Sequence, residues 1–557
     1  MKKALIHSLF LLTFISISTP TNAGHLRGGE IGWQCLSNGK FVFHMSLYRE
    51  CSGIPWSFRN DTLRIHGSTL PNGRTSIVLK PDSVAFLADN SGDQSPKCTS
   101  QYGSPDTCPN GDDGSIQKFP YKSDPITIGG IPPATGWHFY YDAPCCRPSG
   151  MANLNSTGAM LLRAIMFPTV GNDSTDICYD SSPMFTETPP FNTCRGEKIT
   201  YNHIVRDFDS DSIVFSWGNP INGPISAPVP LTYRASFSHN NPTPNTLFNL
   251  SNIASSLNTE TGDITFAVYN RTGRVRYLLV QKAQSWRDGK MIAEVSREFP
   301  MLIRDCPRLP NAAYNLPPNF HIPLSLDTNE VYRDTVKAGD FIDHLITVND
   351  FDSTGVGNRM QIVNLKAFGL SFSEDFSDST LCPNGDSSCA ILSPAPTLIG
   401  GEFISSDTTM IQTHFRWQTN CSHLAEDSTE KTHYFTFKYF DDHCPIPSFS
   451  YRSLAITVQP PNQNCASLTS VGDKKWSIEK NIRAFPNPTK GWVNIVLVEL
   501  QSNLIIQVYN VHGQLVQEEF YTAAQELQLQ LEQPAGLYVL QLISENQASA
   551  FVKVLKK

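Results

Sequence analysis

The chain has 557 residues, with 43 basic and 51 acidic side chains and a formal net charge of −8 at pH 7. A mildly acidic chain does not attract nucleic acid, so its composition argues against a nucleic-acid partner. Proline and glycine are plentiful, at 39 and 35 residues, and long helical periodicity is missing. Runs of Val, Ile, Thr, Phe and Tyr between turn residues instead predict an all-β chain of several sandwich domains.

The N-terminus has the pattern of a secretory signal peptide. Two lysines precede an apolar run from Ala4 to Ile17, which is too short to span a bilayer as a helix. Small residues follow, so we expect residues 1–23 to be removed by cleavage between Ala23 and Gly24. No later stretch reaches transmembrane length, and we expect the mature chain to be soluble, exported and without a transmembrane segment.

Alternating apolar residues mark the first mature domain, which we place at residues 24–188. Phe41, Phe43, Met45 and Leu47 lie at every second position, so they share one face of a strand. This alternation predicts an antiparallel hairpin with one buried face.

The sequence Asp-Phe-Asp-Ser follows a hydrophobic strand pattern at two places, Asp207–Ser210 and Asp350–Ser353. This repeat predicts two related β-sandwiches, immunoglobulin-like or cadherin-like, at residues 189–307 and 308–461. Residues 462–482 are expected to form a linker to the last domain.

Acidic residues in these two repeats are candidate metal ligands. Asp207, Asp209 and Asp211 recur at every second position, so a curled loop can turn three carboxylates toward one hard cation such as Ca²⁺. Asp350 and Asp352 offer a smaller set in the second repeat. No glycine follows where an EF-hand loop requires one, which excludes that motif. The alternative is a solvated acidic turn whose side chains cap local backbone amides.

The 14 cysteines of an exported chain are expected to form disulfides before they bind metal. Two predicted pairs close short loops and one joins the two ends of the second domain: Cys98–Cys108, Cys382–Cys389 and Cys194–Cys306. A zinc site at His433, His443 and Cys444 is the alternative use of such residues. No Cys-x-x-Cys or His-x-x-x-His spacing supports it.

Motifs of common enzymes are missing from the sequence, which has no Gly-x-Ser-x-Gly, no His-Glu-x-x-His and no phosphate loop. The acidic pairs Glu374/Asp375 and Asp441/Asp442 are typical of solvated loop charges, although a glycosidase also needs two carboxylates. We therefore expect a protein without enzymatic activity.

An aromatic cluster keeps a second interpretation open. Trp137, Phe139, Tyr140 and Tyr141 can form a platform that stacks on sugar rings, or can belong to the core of a β-domain, as such clusters more often do. The first interpretation corresponds to a secreted hydrolase acting on polysaccharide, with its site in the N-terminal domain.

Three stretches of the N-terminal domain form an ordered series, Gly28–Glu30, Tyr48–Gly53 and Cys145–Pro148. This series resembles the N-terminal region of Bacteroidetes surface proteins described as gliding-motility-associated or PKD-domain proteins. Glu50 stands where that pattern usually has Asp, and Pro148 stands where it usually has Asn. The resemblance implies a location at the cell surface and no particular chemistry.

The last segment, residues 483–557, combines short strand patterns with a series of landmark residues. Asn510–Gly513 is a hairpin turn between two apolar strands, and Leu527, Leu529 and Leu531 alternate with glutamines. The landmark residues are Pro486, Asn487, Pro488, Gly491, Gly513, Gly536, Tyr538, Lys553, Lys556 and Lys557.

This series resembles the type A C-terminal sorting domain of the type IX (Por) secretion system of Bacteroidetes. The resemblance implies a small β-sandwich that directs export across the outer membrane. It also implies partners, namely the secretion machinery, a sortase-like peptidase that removes the domain, and surface lipopolysaccharide to which the mature protein is attached unless it is released.

Together these features predict an exported protein of tandem immunoglobulin-like or cadherin-like sandwiches, held by disulfides and delivered by a small sorting domain. Its expected role is binding, adhesion or structural support at the cell surface or in the medium. The expected ligand is an extracellular protein or glycan, and Ca²⁺ is the one candidate cofactor.

Overall fold

A computed structural model describes most of the chain beyond its N-terminal region. The predicted signal peptide, residues 1–23, and the predicted linker, residues 462–482, lie outside the described residues. The described residues are 26–36, 38–51, 53, 55–94, 115–168, 180–209, 211–269, 273–306, 309, 315–353, 359–383, 386, 388–399, 401–425, 428–443, 446–461, 483–510, 514–543 and 549–557.

Strands form nearly all of the regular structure, so the prediction of an all-β chain is confirmed. The chain divides into two compact units, Met1–Gln459 and Pro460–Lys557. In the described part of the chain, no helix combines the length and the apolar character that crossing a membrane requires.

The first unit begins with a series of antiparallel strands and one short helix, α1 (Ser83–Ala88), with 3-10 turns at Pro71–Gly73 and Asn90–Gly92. Its strands up to residue 304 are β1 Leu26–Cys35, β2 Phe41–Glu50, β3 Asp61–His66, β4 Ser76–Pro81, β5 Ile116–Ser123, β6 Trp137–Cys146, β7 Ala159–Met166, β8 Met184–Phe185, β9 Asn192–Cys194, β10 Lys198–Tyr201, β11 Val205–Arg206, β12 Ser212–Trp217, β13 Ile221–Asn222, β14 Val229–Pro230, β15 Ile253–Leu257, β16 Ile264–Ala267, β17 Val275–Arg287 and β18 Lys290–Arg304.

The main sheet of this unit closes on itself through its longest strand. Neighbouring strands run in the order β12-β17-β18-β1-β2-β5-β4-β3-β6-β7-β13-β14, and β18 pairs with β7 as well as with β1. β1 and β2 form the predicted hairpin, with Phe43 opposite Trp33. The rings of Phe43, Trp33 and Phe139 pack in the interior, with centroids 4.7 to 6.2 Å apart.

This sheet crosses the boundary that the sequence places at residue 188. The segments 24–188 and 189–307 are joined by the pairing of β18 with β1 and β7, rather than forming separate sandwiches. One long strand can serve two neighbours along its length, and no local sequence pattern records which distant strands those neighbours are.

Glycine permits the close approach of β1 to β18. Gly28 has a φ of +144°, and a Cβ atom there would lie 1.9 Å from the carbonyl oxygen of Glu298. Any side chain at this position would therefore push the two strands apart beside their pairing at Gly29 and Glu298.

A buried polar network lies where β1 meets β18. Arg297, which is 1% exposed, donates to both carboxylate oxygens of Glu30, at 3.1 and 3.0 Å. The hydroxyl of Tyr48 donates to the same carboxylate at 3.1 Å. Arg297 also donates to the carbonyl of Glu187 and lies 3.0 Å from Nδ1 of His203. Each charge thus has close partners in an interior that would otherwise exclude it.

A second sandwich follows within the same unit, with a 3-10 turn at Cys421–His423. Its strands are β19 Asn319–His321, β20 Tyr332–Lys337, β21 Phe341–Asn349, β22 Ile362–Phe368, β23 Ile391–Ser393, β24 Thr397–Ile399, β25 Glu402–Thr408, β26 Met410–Gln418, β27 Lys431–Phe440 and β28 Phe449–Gln459. They form two sheets, with the orders β19-β21-β26-β23 and β20-β28-β27-β22-β25-β24.

Glu187 links the buried network to this second sandwich. Its carboxylate accepts from Nζ of Lys438 at 2.7 Å and from the hydroxyl of Tyr451 at 3.2 Å. Burial by itself raises the pKa of Glu187, but the Lys438 charge and these hydrogen bonds outweigh it and hold the pKa below its usual value. The two parts of the unit are therefore joined by a partly buried charge pair.

Buried histidine is part of the core of the second sandwich. His433 packs against Trp417, with ring centroids 5.0 Å apart. Its Nε2 lies 2.8 Å from the carbonyl oxygen of His423, and its Nδ1 lies 2.9 Å from Oγ of Ser371. Since a carbonyl only accepts, the Nε2 atom carries a proton. Burial lowers the pKa of His433 to about 4.

The second unit is a small sheet module of its own. Its strands run in the order β29-β30-β32-β33, and β31 pairs with β30. Buried Val, Ile and Leu side chains from β30, β31, β32 and β33 form one core. The strands are β29 Arg483–Phe485, β30 Trp492–Tyr509, β31 Leu515–Gln530, β32 Gly536–Ile543 and β33 Ser549–Lys556.

Removing Arg297 should destabilise the first unit strongly. The substitution Arg297→Met leaves the Glu30 carboxylate buried without its cation, which we expect to lower the free energy of unfolding by about 3–5 kcal/mol. Urea denaturation followed by tryptophan fluorescence measures the loss. The double variant Glu30→Gln/Arg297→Met should recover a large part of it, because no buried charge is then left alone.

An exposed ion pair of the same unit provides the control. Arg333 contacts Glu260 at 2.8 Å and Asp327 at 2.7 Å, and its side chain is 40% exposed. We expect Arg333→Met to cost less than about 1 kcal/mol. Equal losses of unfolding free energy in Arg297→Met and Arg333→Met would show that the buried network stabilises the unit no more than an exposed ion pair does.

The buried imidazole of His433 predicts a loss of stability in acid. The unfolded state binds a proton near the ordinary pKa of 6.5, whereas the folded state does so only near pH 4. Stability from this group is therefore complete above pH 6.5 and is lost as the pH falls toward 4, by roughly 2 kcal/mol between pH 7 and pH 5. Urea denaturation at both pH values should show a smaller loss in His433→Gln than in the unchanged protein. An equal loss in both would contradict this assignment.

Candidate functional site

Four carboxylates meet beside the start of β12, and we call Asp180, Asp207, Asp209 and Asp211 the acidic corner. The Asp207 carboxylate accepts three hydrogen bonds. Its Oδ1 accepts the backbone N–H groups of Asp209 and Asp211 at 2.9 and 3.3 Å, and its Oδ2 accepts the hydroxyl of Ser285 at 2.6 Å. Burial raises the pKa of Asp207 to about 7. This residue therefore shapes the turn.

The other three members of the acidic corner converge on one point. One carboxylate oxygen each from Asp180, Asp209 and Asp211 lies within 4.8 Å of the other two. Asp209 is held by the backbone N–H of Ser181. Asp211 accepts two hydrogen bonds from Arg287, at 2.8 and 2.7 Å. Such a group of oxygen ligands is the kind that hard cations bind.

The composition of this group differs from the predicted one. The sequence places Asp207 with Asp209 and Asp211, but the structure puts Asp180 in that place and turns Asp207 to the backbone. Alternate residues face one side only where the chain is extended, and here the chain curls around the Asp207 carboxylate. Asp180 lies outside the motif, so the repeat in the sequence does not point to it.

The second Asp-Phe-Asp-Ser sequence repeats the turn without the convergence. Oδ1 of Asp350 accepts the backbone N–H of Asp352 at 2.9 Å, as Asp207 accepts that of Asp209. Burial raises the pKa of Asp350 to about 6. Among the residues that the structure describes, Asp350 and Asp352 belong to no group of three metal-ligating side chains, so here the alternative of a backbone-capping turn fits.

The aromatic cluster of β6 belongs to the core, and the alternative of a sugar-stacking platform does not fit the structure. Trp137, Phe139, Tyr140 and Tyr141 are almost completely buried, because consecutive residues of β6 point into the closed sheet on one side and into packed neighbours on the other. The zinc alternative is not supported at His433. Both ring nitrogens of His433 are used by protein groups, and Cys444 lies outside the described residues.

Two of the predicted disulfides are present. Cys194 and Cys306 are bonded with a Cα–Cα distance of 5.5 Å, and Cys382 and Cys389 are bonded at the same Cα–Cα distance. The first bond joins β9 to the chain just after β18. The predicted pair Cys98–Cys108 lies outside the described residues.

A surface cleft with a volume of about 350 Å³ lies in the N-terminal part of the first unit. The partly buried rings of Trp56, Phe58 and Phe86 line it, and Arg49 and Gln117 supply polar groups. Arg49 donates to the Gln117 side chain at 2.9 Å, which fixes this polar end. Aromatic rings beside a few oriented polar groups are typical of ligand sites, and the sequence predicts nothing at these residues.

In the C-terminal module, the predicted landmarks gather where the Pro-Asn-Pro segment meets β33. Asn487, between Pro486 and Pro488, donates its Nδ2 to the carbonyl of Lys553 at 2.8 Å. Its Oδ1 accepts the N–H of Leu555 at 2.9 Å. The side-chain amide of Asn487 therefore makes the pair of hydrogen bonds to β33 that the backbone of a neighbouring strand would otherwise make.

Two further landmarks fasten the loop between β31 and β32. Nζ of Lys556 donates to the carbonyl oxygens of Leu531 and Gln533, both at 2.6 Å. The hydroxyl of Tyr538 donates to the carbonyl of Pro534 at 2.7 Å. The last strand and this loop are therefore held together by side chains that reach backbone groups.

The remaining landmarks have simpler positions. Gly491 adopts a φ of +144° in the turn before β30, and Gly536 begins β32. The side chains of Lys553 and Lys557 are exposed, and Gly513 lies outside the described residues.

Several solved structures resemble this chain only weakly. The periplasmic chaperone SfaE is 9% identical with a TM-score of 0.16, over 42% of this chain and 98% of its own. SGBP-B of a Bacteroides ovatus mixed-linkage glucan utilization locus is 10% identical with a TM-score of 0.13, over 71% and 70%. Domains A168–A170 of titin are 8% identical with a TM-score of 0.13, over 68% and 99%. Scores this low carry no inference about function.

Sequence comparison is informative at one end of the chain. No curated protein matches the chain, but residues 483–557 match the family model Por_Secre_tail, described as a secretion system C-terminal sorting domain. The match covers the module in which Asn487, Tyr538 and Lys556 fasten the strands. The chain therefore carries a Por secretion-system sorting domain at its C-terminal end, which indicates interaction with the secretion machinery and a protein that is secreted or displayed at the cell surface.

Proposed function

We propose that this is a non-enzymatic binding or structural protein, carried to the cell surface or the medium by the type IX system of a member of the Bacteroidetes. The match of residues 483–557 to the sorting-domain family carries this proposal. Residues 1–23 serve as the signal peptide for the first membrane, and a sortase-like peptidase then removes the C-terminal module. Surface lipopolysaccharide is the attachment point if the mature protein stays on the cell.

The use of the acidic pairs supports a role without catalysis. Asp375 accepts the backbone N–H groups of Ser377 and Asp378 at 2.8 and 3.0 Å. Asp441 accepts those of His443 and Ser448, both at 2.9 Å. These carboxylates hold local turns together, whereas a hydrolase needs two carboxyl groups free to reach one scissile bond.

The aromatic cleft is the surface that we propose for ligand contact. Phe86, from α1, stacks on Phe119 at 5.4 Å and packs against Phe58 at 4.9 Å. The cleft thus has rigid aromatic walls, and such walls supply contact area at a low cost in conformational entropy. A glycan or an extended peptide from an extracellular protein has the size and the apolar faces to enter it.

Deleting the C-terminal module should stop export. A chain that ends before Arg483 lacks the matched domain, and we expect it to accumulate in the periplasm while the full chain reaches the outside. Cell fractionation with intact-mass measurement checks this, because the exported form should lack both residues 1–23 and the module. An exported protein that still carries the module, or a shortened chain that is exported normally, would contradict the sorting function.

Binding should depend on the cleft and should occur without hydrolysis. We expect Phe86→Ala to lower binding to an array of purified polysaccharides and matrix proteins by at least about tenfold. Leu87→Ala provides the matched control, because Leu87 lies next to Phe86 on α1 but is 70% exposed. Thermal unfolding of both variants separates lost binding from lost fold. Release of new reducing ends from a bound polysaccharide would instead favour the secreted hydrolase.

A further inference from the structure

A buried carboxylate in the acidic corner has no hydrogen-bond partner among the residues that the structure describes. Asp180 is 1% exposed, and neither Oδ1 nor Oδ2 receives a hydrogen bond from those residues. The carboxylates of Asp207, Asp209 and Asp211 lie nearby, so like charges surround Asp180. A charged carboxylate in such a place is destabilising unless something compensates it.

The nearest cation compensates this charge only in part. Nη2 of Arg287 is 2.7 Å from Asp211, but 3.7 Å from Asp180 and 4.0 Å from Asp209. The last two distances are too long for hydrogen bonds. One guanidinium is thus shared among three carboxylates, and Asp180 and Asp209 keep oxygens that point to the same space.

We propose that Asp180, Asp209 and Asp211 form a Ca²⁺ site. The three oxygens lie within 4.8 Å of one another, which fits a single ion at the usual Ca–O distance of about 2.4 Å. The group contains carboxylate oxygens and no His or Cys, a composition that favours a hard cation. Mg²⁺ normally takes only one or two carboxylates and keeps several waters, so three converging carboxylates suit Ca²⁺ better.

The chain around these ligands is held in place before any ion binds. Ser182 exchanges hydrogen bonds with Trp33 of β1, through its backbone N–H at 2.9 Å and its Oγ at 2.8 Å. The hydroxyl of Ser181 accepts from the N–H of Cys35 at 3.2 Å. Asp180 is therefore anchored to β1, while Asp209 and Asp211 belong to the turn before β12. An ion between them would join this edge of the sheet to β1, independently of the route of export.

Calcium titration of the full chain tests the site. We expect the protein, after EDTA treatment, to bind CaCl₂ with one set of sites in isothermal titration calorimetry, and to unfold at a higher temperature with CaCl₂ than with MgCl₂. The variant Asp180→Asn keeps the side-chain shape and should weaken Ca²⁺ affinity by at least about tenfold. Without Ca²⁺ it should unfold at the same temperature as the unchanged protein or higher, since a buried charge is removed.

The second repeat supplies the control variant. Asp352→Asn alters the matching Asp-Phe-Asp turn, where no such group of ligands is found among the described residues, and it should leave Ca²⁺ binding unchanged. The proposal is overturned if the unchanged protein gives no calcium heat, or if Asp180→Asn binds Ca²⁺ as well as the unchanged protein does. Loss of binding in Asp352→Asn but not in Asp180→Asn would overturn it as well.

Discussion

A buried ion pair, Arg297 with Glu30, lies at the point where the main sheet closes, beside a second buried pair, Arg147 with Glu298. The Arg297 guanidinium occupies both oxygens of the Glu30 carboxylate and still reaches the carbonyl of Glu187. Glu187 in turn binds Lys438 of the second sandwich. Each of these charges has an opposite charge beside it, and the backbone carbonyl of Glu187 connects the pair at the sheet closure to the pair that reaches the second sandwich.

The acidic corner shows how one sequence motif can have two outcomes. In both repeats the first aspartate of Asp-Phe-Asp accepts the N–H of the second, so the local turn is the same. Only in the first repeat does a distant segment bring Asp180 against the turn. The motif therefore specifies backbone geometry, and the tertiary structure decides whether carboxylates converge.

Local patterns in the sequence were sufficient for much of the fold. Alternation along β2 predicted its pairing with β1, and loop length predicted the Cys382–Cys389 bond. The C-terminal module was recognisable because its landmarks fasten neighbouring backbone groups. Long-range partners could not be predicted in this way: Glu30 and Arg297 are 267 residues apart, and nothing near Asp180 records that it meets Asp209. The aromatic cleft was missed for the same reason, since its rings come from separate elements.

The closed sheet has a consequence for how the chain emerges during synthesis and translocation. β1 leads the sheet, but its second neighbour, β18, follows only after most of the first unit. Until β18 arrives, β1 and β7 each present an open edge, and the Glu30 carboxylate has no guanidinium to receive it. The strands β1 to β7 can pair before that point only as an open sheet, and contacts of such long sequence separation form slowly. A chain with this topology stays open for longer than a row of independent sandwiches of the same length.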